Sequence, residues 1–193
     1  MRAVLPRQPG GRGAPFLTPP WTDIRGTLPT RAGATPYSCR SLAEMADVAW
    51  LVWHHTGTGP ARPSVRNTAA YQVGPKAHLQ FPSIAYDVYV EESGQAYLCH
   101  DLETVTWSQG SGSPYSKAGA GIFNWLGLAC CFAGEHPSEA QLAKMREVGD
   151  YIDQLLGRKL DRLGHCEVSV DEQGRALTEC PGGLLPQWKT RVA

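Results

Sequence analysis

At 193 residues the chain fits one domain of ordinary size and can bury a core without disulfide staples. Apolar residues make up 42% and charged residues 19%, a globular balance rather than a disordered one. Lysine plus arginine equals aspartate plus glutamate at 18 each, so no net field favours nucleic acid, and no apolar run reaches the ~18 residues that would insert stably in a membrane.

The charge is uneven along the chain. Residues 1–40 hold six arginines against one acid, Asp23. This Pro/Gly/Arg-rich segment reads as an arm or wrapped extension preceding a domain over 41–193. A basic arm suits an anionic polymer such as a cell wall, or plain solvation. Met1-Arg2-Ala3-Val4-Leu5-Pro6 has no apolar h-region, so no secretory signal is expected. Six cysteines (39, 99, 130, 131, 166 and 180) lack disulfide-scaffold spacing and point to a reducing compartment.

Ser41-Leu42-Ala43-Glu44-Met45-Ala46 predicts one or two helical turns, with Ser41 as cap and Glu44 closing a capping box. Val48 to Trp53 is an apolar run short enough for a buried strand. A short helix is expected from Ser64 to near Gly74-Pro75, where the proline must end it. Ile84 to Val90 is strand-like, Glu92-Ser93-Gly94 is a turn, and Gln95 to Cys99 returns as a β-hairpin. Residues 108–121 read as a Gly/Ser-rich loop, and Trp125 to Phe132 as another apolar strand with Cys130 and Cys131 as buried thiols.

The clearest helix runs from about Pro137 to Leu156. Ser138 and Gln141 form its capping box, and Leu142, Met145, Ile152, Leu155 and Leu156 share one face. From 157 onward the chain reads as mostly loop, ending in the apolar Leu184-Leu185-Pro186-Gln187-Trp188. The order predicts an α/β fold: a single domain with a central mixed β-sheet flanked by helices.

Two histidines close the first apolar run, in Trp50-Leu51-Val52-Trp53-His54-His55-Thr56-Gly57. Imidazoles at the end of a buried strand stand where a rigid sheet can hold a metal or a reacting group. Gly164-His165-Cys166-Glu167 and Thr178-Glu179-Cys180-Pro181-Gly182 offer further ligands. Catalytic zinc takes three protein ligands plus water, and His54, His165 and Cys180 make a chemically sound set. Spacing alone does not select them: His165 and Cys180 are 15 residues apart, outside zinc-finger spacings. Ordinary core or surface histidines remain the alternative on this ground.

Taken in order, the segments resemble the zinc-dependent type 2 N-acetylmuramoyl-L-alanine amidases, a superfamily that includes peptidoglycan recognition proteins and phage lysozyme-type amidases. The resemblance runs from about Val48 to Gly182. Its landmarks are Leu51-Val52-Trp53-His54-His55-Thr56, Ile84-Ala85-Tyr86, Gly94, Leu126-Gly127-Leu128, Pro137 to Gln141, Gly164-His165, and Thr178-Glu179-Cys180-Pro181-Gly182. It implies Zn2+ as cofactor, peptidoglycan as partner, and hydrolysis of the amide joining the muramyl lactyl group to L-alanine of the stem peptide.

By the same resemblance the ligands are His54, His165 and Cys180, and the cysteine argues for catalysis, because recognition proteins without it are binders. His55 should face the opposite side of its strand, as a packing or supporting residue. Tyr86 stands where the family keeps a catalytic tyrosine, able to donate to a developing oxyanion or orient water. Thr178 matches a position where relatives carry threonine or lysine near the zinc. Trp107 and Asn124 are assigned to substrate binding, and Trp107 and Trp125 read either as sugar-stacking platforms or as core residues.

Two departures stand out. Relatives often have Trp-His-Ala-Gly where this chain reads Trp107-Ser108-Gln109-Gly110. Some use a glutamate as general base on the strand that here reads Ala129-Cys130-Cys131, so the base is unassigned. The alternative function is a non-catalytic peptidoglycan-binding module using the same groove. A compact monomeric amidase without a signal looks like a phage endolysin held in the host cytoplasm until released to the wall; a bacterial cytoplasmic recycling amidase is the other setting.

Overall fold

The computed structural model describes residues 18–59, 61–77, 81–109, 122–171, 173–182 and 185–193. Residues 1–17, residues 110–121 of the expected 108–121 loop, and Leu184 lie outside them. In chain order the elements are β1 (Thr22–Asp23), β2 (Ser38–Cys39), α1 (Leu42–Met45), β3 (Trp50–His55), α2 (Val65–Val73), β4 (Val88–Val90), β5 (Ala96–Leu98) and β6 (Thr104–Val105). Then follow α3 (Ile122–Leu126), β7 (Gly127–Phe132), α4 (Glu139–Leu156), β8 (Asp161–Gly164), α5 (His165–Val168) and α6 (Leu185–Trp188).

Six strands form one mixed sheet in the order β1-β5-β4-β7-β3-β8, and β2 pairs with β6 in a separate ladder. Only the β4–β5 hairpin is antiparallel within the large sheet. The central strands β3 and β7 pair in parallel from Trp50↔Gly127 to His55↔Phe132. Both sheet faces are covered, which explains why these two strands read as unbroken apolar runs.

Alternation along β7 divides the core. Cys130 faces the cluster of Leu51, Trp53, Met145, Val148 and Ile152, whereas Cys131 faces that of Val65, Ala69, Ile84 and Tyr89. The first cluster is the buried stripe of α4, whose Ser138–Gln141 capping box is closed in both directions. The Ser41–Glu44 box on α1 is also complete, and Ser64 caps α2. Glycine at 149 makes room for β8: a Cβ there would lie 2.7 Å from Nη2 of Arg162. That guanidinium is itself buried against Asp153 at 2.7 Å.

Three expectations need correction. Trp125 and Leu126 end a short helix rather than open a strand, because the Arg40 guanidinium takes the carbonyls of Asn124 and Trp125 at that helix's C-terminal end and β7 begins only at Gly127. Ile84 to Asp87 is not strand: His100 bonds the Ile84 carbonyl and the Gln72 side chain accepts from Ala85 N–H, so side chains occupy groups a ladder would use. The segment after 157 is not mainly loop at its start, since β8 joins the sheet beside β3. Its two charged residues hide it, Arg162 being buried only by virtue of its ion pair.

Within the segment 1–40, the described residues lie against the domain. β1 extends the sheet next to β5, and β2 pairs with β6. Arg40 is 4% exposed and donates to the carbonyls of Leu102, Thr104, Asn124, Trp125 and Gly127. No helix among the described residues is long and apolar enough to cross a membrane.

Candidate functional site

His54 is the fifth residue of β3, flanked by β7, where it is opposite Cys131, and by β8, whose Gly164 is opposite Trp53. The residue after Gly164 is His165, so the ends of two neighbouring parallel strands present two imidazoles side by side. Their ring centroids are 4.5 Å apart. Glycine is required at 164, where a Cβ would lie 2.5 Å from Leu185 and 2.8 Å from Pro181. That close approach brings the tail back over the strand end.

The tail supplies the third group. Cys166 N–H donates to the Cys180 carbonyl at 2.6 Å, and Cys180 N–H donates to Thr178 Oγ1 at 3.1 Å. Cys180 Sγ then lies 3.8 Å from His54 Nδ1 and accepts from His55 N–H at 3.4 Å. One donor atom from each of His54, His165 and Cys180 falls within 4.8 Å of the others. Tetrahedral zinc with ordinary Zn–N and Zn–S bonds would set nitrogen and sulfur about 3.6 Å apart.

The electrostatics suit a cation. Burial pushes the His54 pKa well below the ordinary range, helped by His165, and lowers His165 to about 4 against a raising hydrogen bond from the Gln109 backbone. Both imidazoles are therefore neutral, which is the ligating form. Burial raises the Cys180 thiol to about 12, with His55 N–H opposing. A divalent cation is what would stabilise a thiolate here. Nε2 of His165 is buried without a hydrogen-bond partner, which fits an atom shaped for an ion rather than for the protein.

His55 stands apart from this group: its ring meets Phe132 at 6.3 Å, on the α4 side of the sheet. Tyr86 is brought in, its ring 5.4 Å from that of His54. Burial raises its hydroxyl pKa well above the ordinary value, reinforced by the Cys131 and Cys180 thiols, so it is an O–H donor at any working pH. Thr178 is half-buried and holds the Cys180 loop through its oxygen.

Trp107 is exposed and stands edge-on to Tyr37 at 5.1 Å. Asn124 is 2% exposed, and its Oδ1 accepts from Gln109 N–H at 2.9 Å. The Ser108 hydroxyl is buried without a partner. Gln109, Arg40 and Cys131 are neighbours of the site that sequence reasoning did not single out. No local pattern marks them, because each acts through contacts distant in sequence.

No curated protein sequence gives a significant match. Solved structures of similar fold include an endolysin N-acetylmuramoyl-L-alanine amidase from Clostridium intestinale, at 18% identity and TM-score 0.58 over 89% of this chain and 95% of that one. The endolysin of Thermus scotoductus bacteriophage Ph2119 matches at 18% and 0.57, over 81% and 90%. Peptidoglycan recognition protein-LE, in complex with tracheal cytotoxin, matches at 18% and 0.59, over 82% and 86%. Likeness at such identity establishes the fold, an α/β domain with a central mixed sheet. The family described as N-acetylmuramoyl-L-alanine amidase matches residues 44–183, a span that holds all three donors and Tyr86, and the chain belongs to that family.

Proposed function

We propose that the protein is a zinc-dependent hydrolase of the amide between N-acetylmuramic acid and L-alanine of the peptidoglycan stem. The observation that carries this reading is the convergence of His54, His165 and Cys180 within 4.8 Å, with Tyr86 alongside. Zinc held by these three residues would supply a Lewis acid and a water of lowered pKa. The chain's own residues do the rest. Tyr86, kept protonated by burial, donates to the oxyanion that develops on the scissile carbonyl. Thr178 fixes the Cys180 loop through its oxygen and keeps its hydroxyl proton for the substrate. Trp107, exposed and braced by Tyr37, offers a flat apolar face to a sugar ring.

The bound ligand in the recognition-protein structure, a monomeric diaminopimelic acid-type peptidoglycan, supports a muramyl peptide as the partner. We place it by analogy with the endolysin neighbours in a phage-infected host, made in the cytoplasm and acting at the wall as a monomer, with a bacterial cytoplasmic setting as the alternative.

A recognition module is the second reading. It is favoured by the neighbouring strand, where the residue opposite His54 is Cys131, a buried thiol rather than a carboxylate that could act as general base. Digestion of purified sacculi with and without chelator separates the two, using mass spectrometry of the released material. Free stem peptides that disappear on chelation, and in Cys180→Ala, support hydrolysis. Sacculus binding without any release would establish the module instead.

A further inference from the structure

Tyr86 reaches its face of the sheet only because the chain breaks its alternation just before β4. Val88 and Val90 of that strand lie in the cluster on the α4 side, and Tyr89 lies in the opposite one with Val65, Ala69 and Cys131. A regular strand carried back from Val88 would put residues 86 and 84 on the α4 side as well. Ile84 instead belongs to the Tyr89 cluster, and Tyr86 packs against it. This is also the face of His54, since Leu51 and Trp53 on either side of the alternation point to α4. The rings of Tyr86 and His54 are 5.4 Å apart as a result.

Two side chains from other elements hold the break. Gln72, buried on α2, accepts from Ala85 N–H through Oε1 at 2.9 Å, and its backbone carbonyl accepts from Phe81 N–H at 3.0 Å. His100, just past β5, donates from Nε2 to the Ile84 carbonyl at 2.7 Å. The ladder resumes at Asp87, whose N–H donates to the Ala129 carbonyl at 2.8 Å and whose Oδ2 accepts from Ala129 N–H at 2.8 Å. Tyr86 is therefore fixed from α2 on one side and from β7 on the other.

We infer that Gln72 is a positioning residue for Tyr86: by accepting from the Ala85 N–H it holds the chain out of strand register and turns the phenol to the metal face. The inference rests on the hydrolase reading above. Ala85 is buried, so its N–H needs an acceptor, and no strand supplies one there. Without Gln72 Oε1 that donor is satisfied only if the segment shifts toward water or toward the ladder, and Tyr86 moves with it. An oxyanion donor acts only where it is already in place, and a displacement of about 1 Å can cost on the order of 100-fold.

The test is a double-mutant cycle with the zinc-loaded full chain, read as stem peptide released from sacculi. Gln72→Met removes the acceptor at similar volume and should lower kcat about 10- to 100-fold, with full zinc content and an unchanged KM. In a Tyr86→Phe background the same substitution should change nothing further, because the hydroxyl it positions is gone. Gln72→Glu, which keeps an acceptor of the same reach, should recover most of the loss. Wild-type kcat in Gln72→Met, even with a lowered Tm, would mean a structural role only and would overturn the inference. So would a loss that persists at full size in the Tyr86→Phe background.

A measurement on the metal-free wild-type chain covers the case in which Gln72→Met does not fold. Nuclear Overhauser contacts should join the Tyr86 ring to that of His54, and the Ala85 amide should exchange slowly with solvent. Contacts from Tyr86 to Met145 on the α4 side, or an Ala85 amide that exchanges as freely as an exposed one, would overturn the inference. If wild type releases no stem peptide while the Tyr86–His54 contact is present and is lost in Gln72→Met, the hydrolase reading fails and the positioning of Tyr86 by Gln72 stands.

Discussion

His54 Nδ1 lies 3.8 Å from Cys180 Sγ although 126 residues separate them. The neighbouring His55 instead directs its ring to Phe132 and lends the cluster only its backbone N–H. The pair should therefore respond oppositely to substitution. His54→Ala should weaken zinc binding more than about 100-fold, beyond the cost of losing a merely orienting group. His55→Ala should keep wild-type affinity to within an order of magnitude. Chelator competition on the two purified variants reads both, and equal losses would remove the distinction.

Tyr86→Phe deletes one hydroxyl and leaves the three donors in place. The expected result is full zinc content and an unchanged KM, with kcat lowered about 100- to 1000-fold, as for loss of one oxyanion donor. Steady-state release of stem peptide from sacculi measures it. An unchanged kcat would take Tyr86 out of the chemistry.

The features legible in the sequence are those set by near neighbours. The capping boxes at Ser41/Glu44 and Ser138/Gln141 stand as read, since each is complete within four residues. β3 and the β4–β5 turn at Gly94, with φ of +82°, are also local signals. β8 escaped because a buried arginine breaks its apolar pattern, and Arg162 is tolerable there only through Asp153 on another element. Two-residue strands such as β1 and β2 carry no periodicity to detect. The clustering of His54, His165 and Cys180 is legible by family resemblance, not by spacing. The side chain-to-backbone contact between Asn124 and Gln109 has no sequence signature at all.

Asp87 supplies a test by pH. Burial raises its carboxyl to about 7 from 3.8, against the opposing Arg40 charge and the Ala129 N–H. Between those values the folded chain holds a proton that the unfolded chain has released. The contribution to stability is full below about pH 4 and is lost as pH rises through 7. Its ceiling is about 4 kcal/mol, from the roughly three-unit gap. Asp87→Asn should flatten this slope, so its stability relative to wild type should rise from pH 4 to pH 8. Urea unfolding across that range reads the difference, and parallel curves would refute it.

Arg40 satisfies five backbone carbonyls with one buried guanidinium. Arg40→Met leaves them without a donor and should cost at least about 3 kcal/mol in urea unfolding. Arg40→Lys should recover only part, because an ammonium has three donors and cannot reproduce the planar fork. A loss below about 1 kcal/mol in Arg40→Met would show that the carbonyls find other partners.

The tail loop bearing Cys180 gives the protein a built-in order of events. During synthesis the strand ends carrying His54 and His165 exist before the third donor has been made. A product that stops short of residue 180 offers two donors instead of three and also lacks Leu185, Trp188 and Val192 of the core. If the metal reading holds, the donor set is complete only once the last segment has folded back over Gly164.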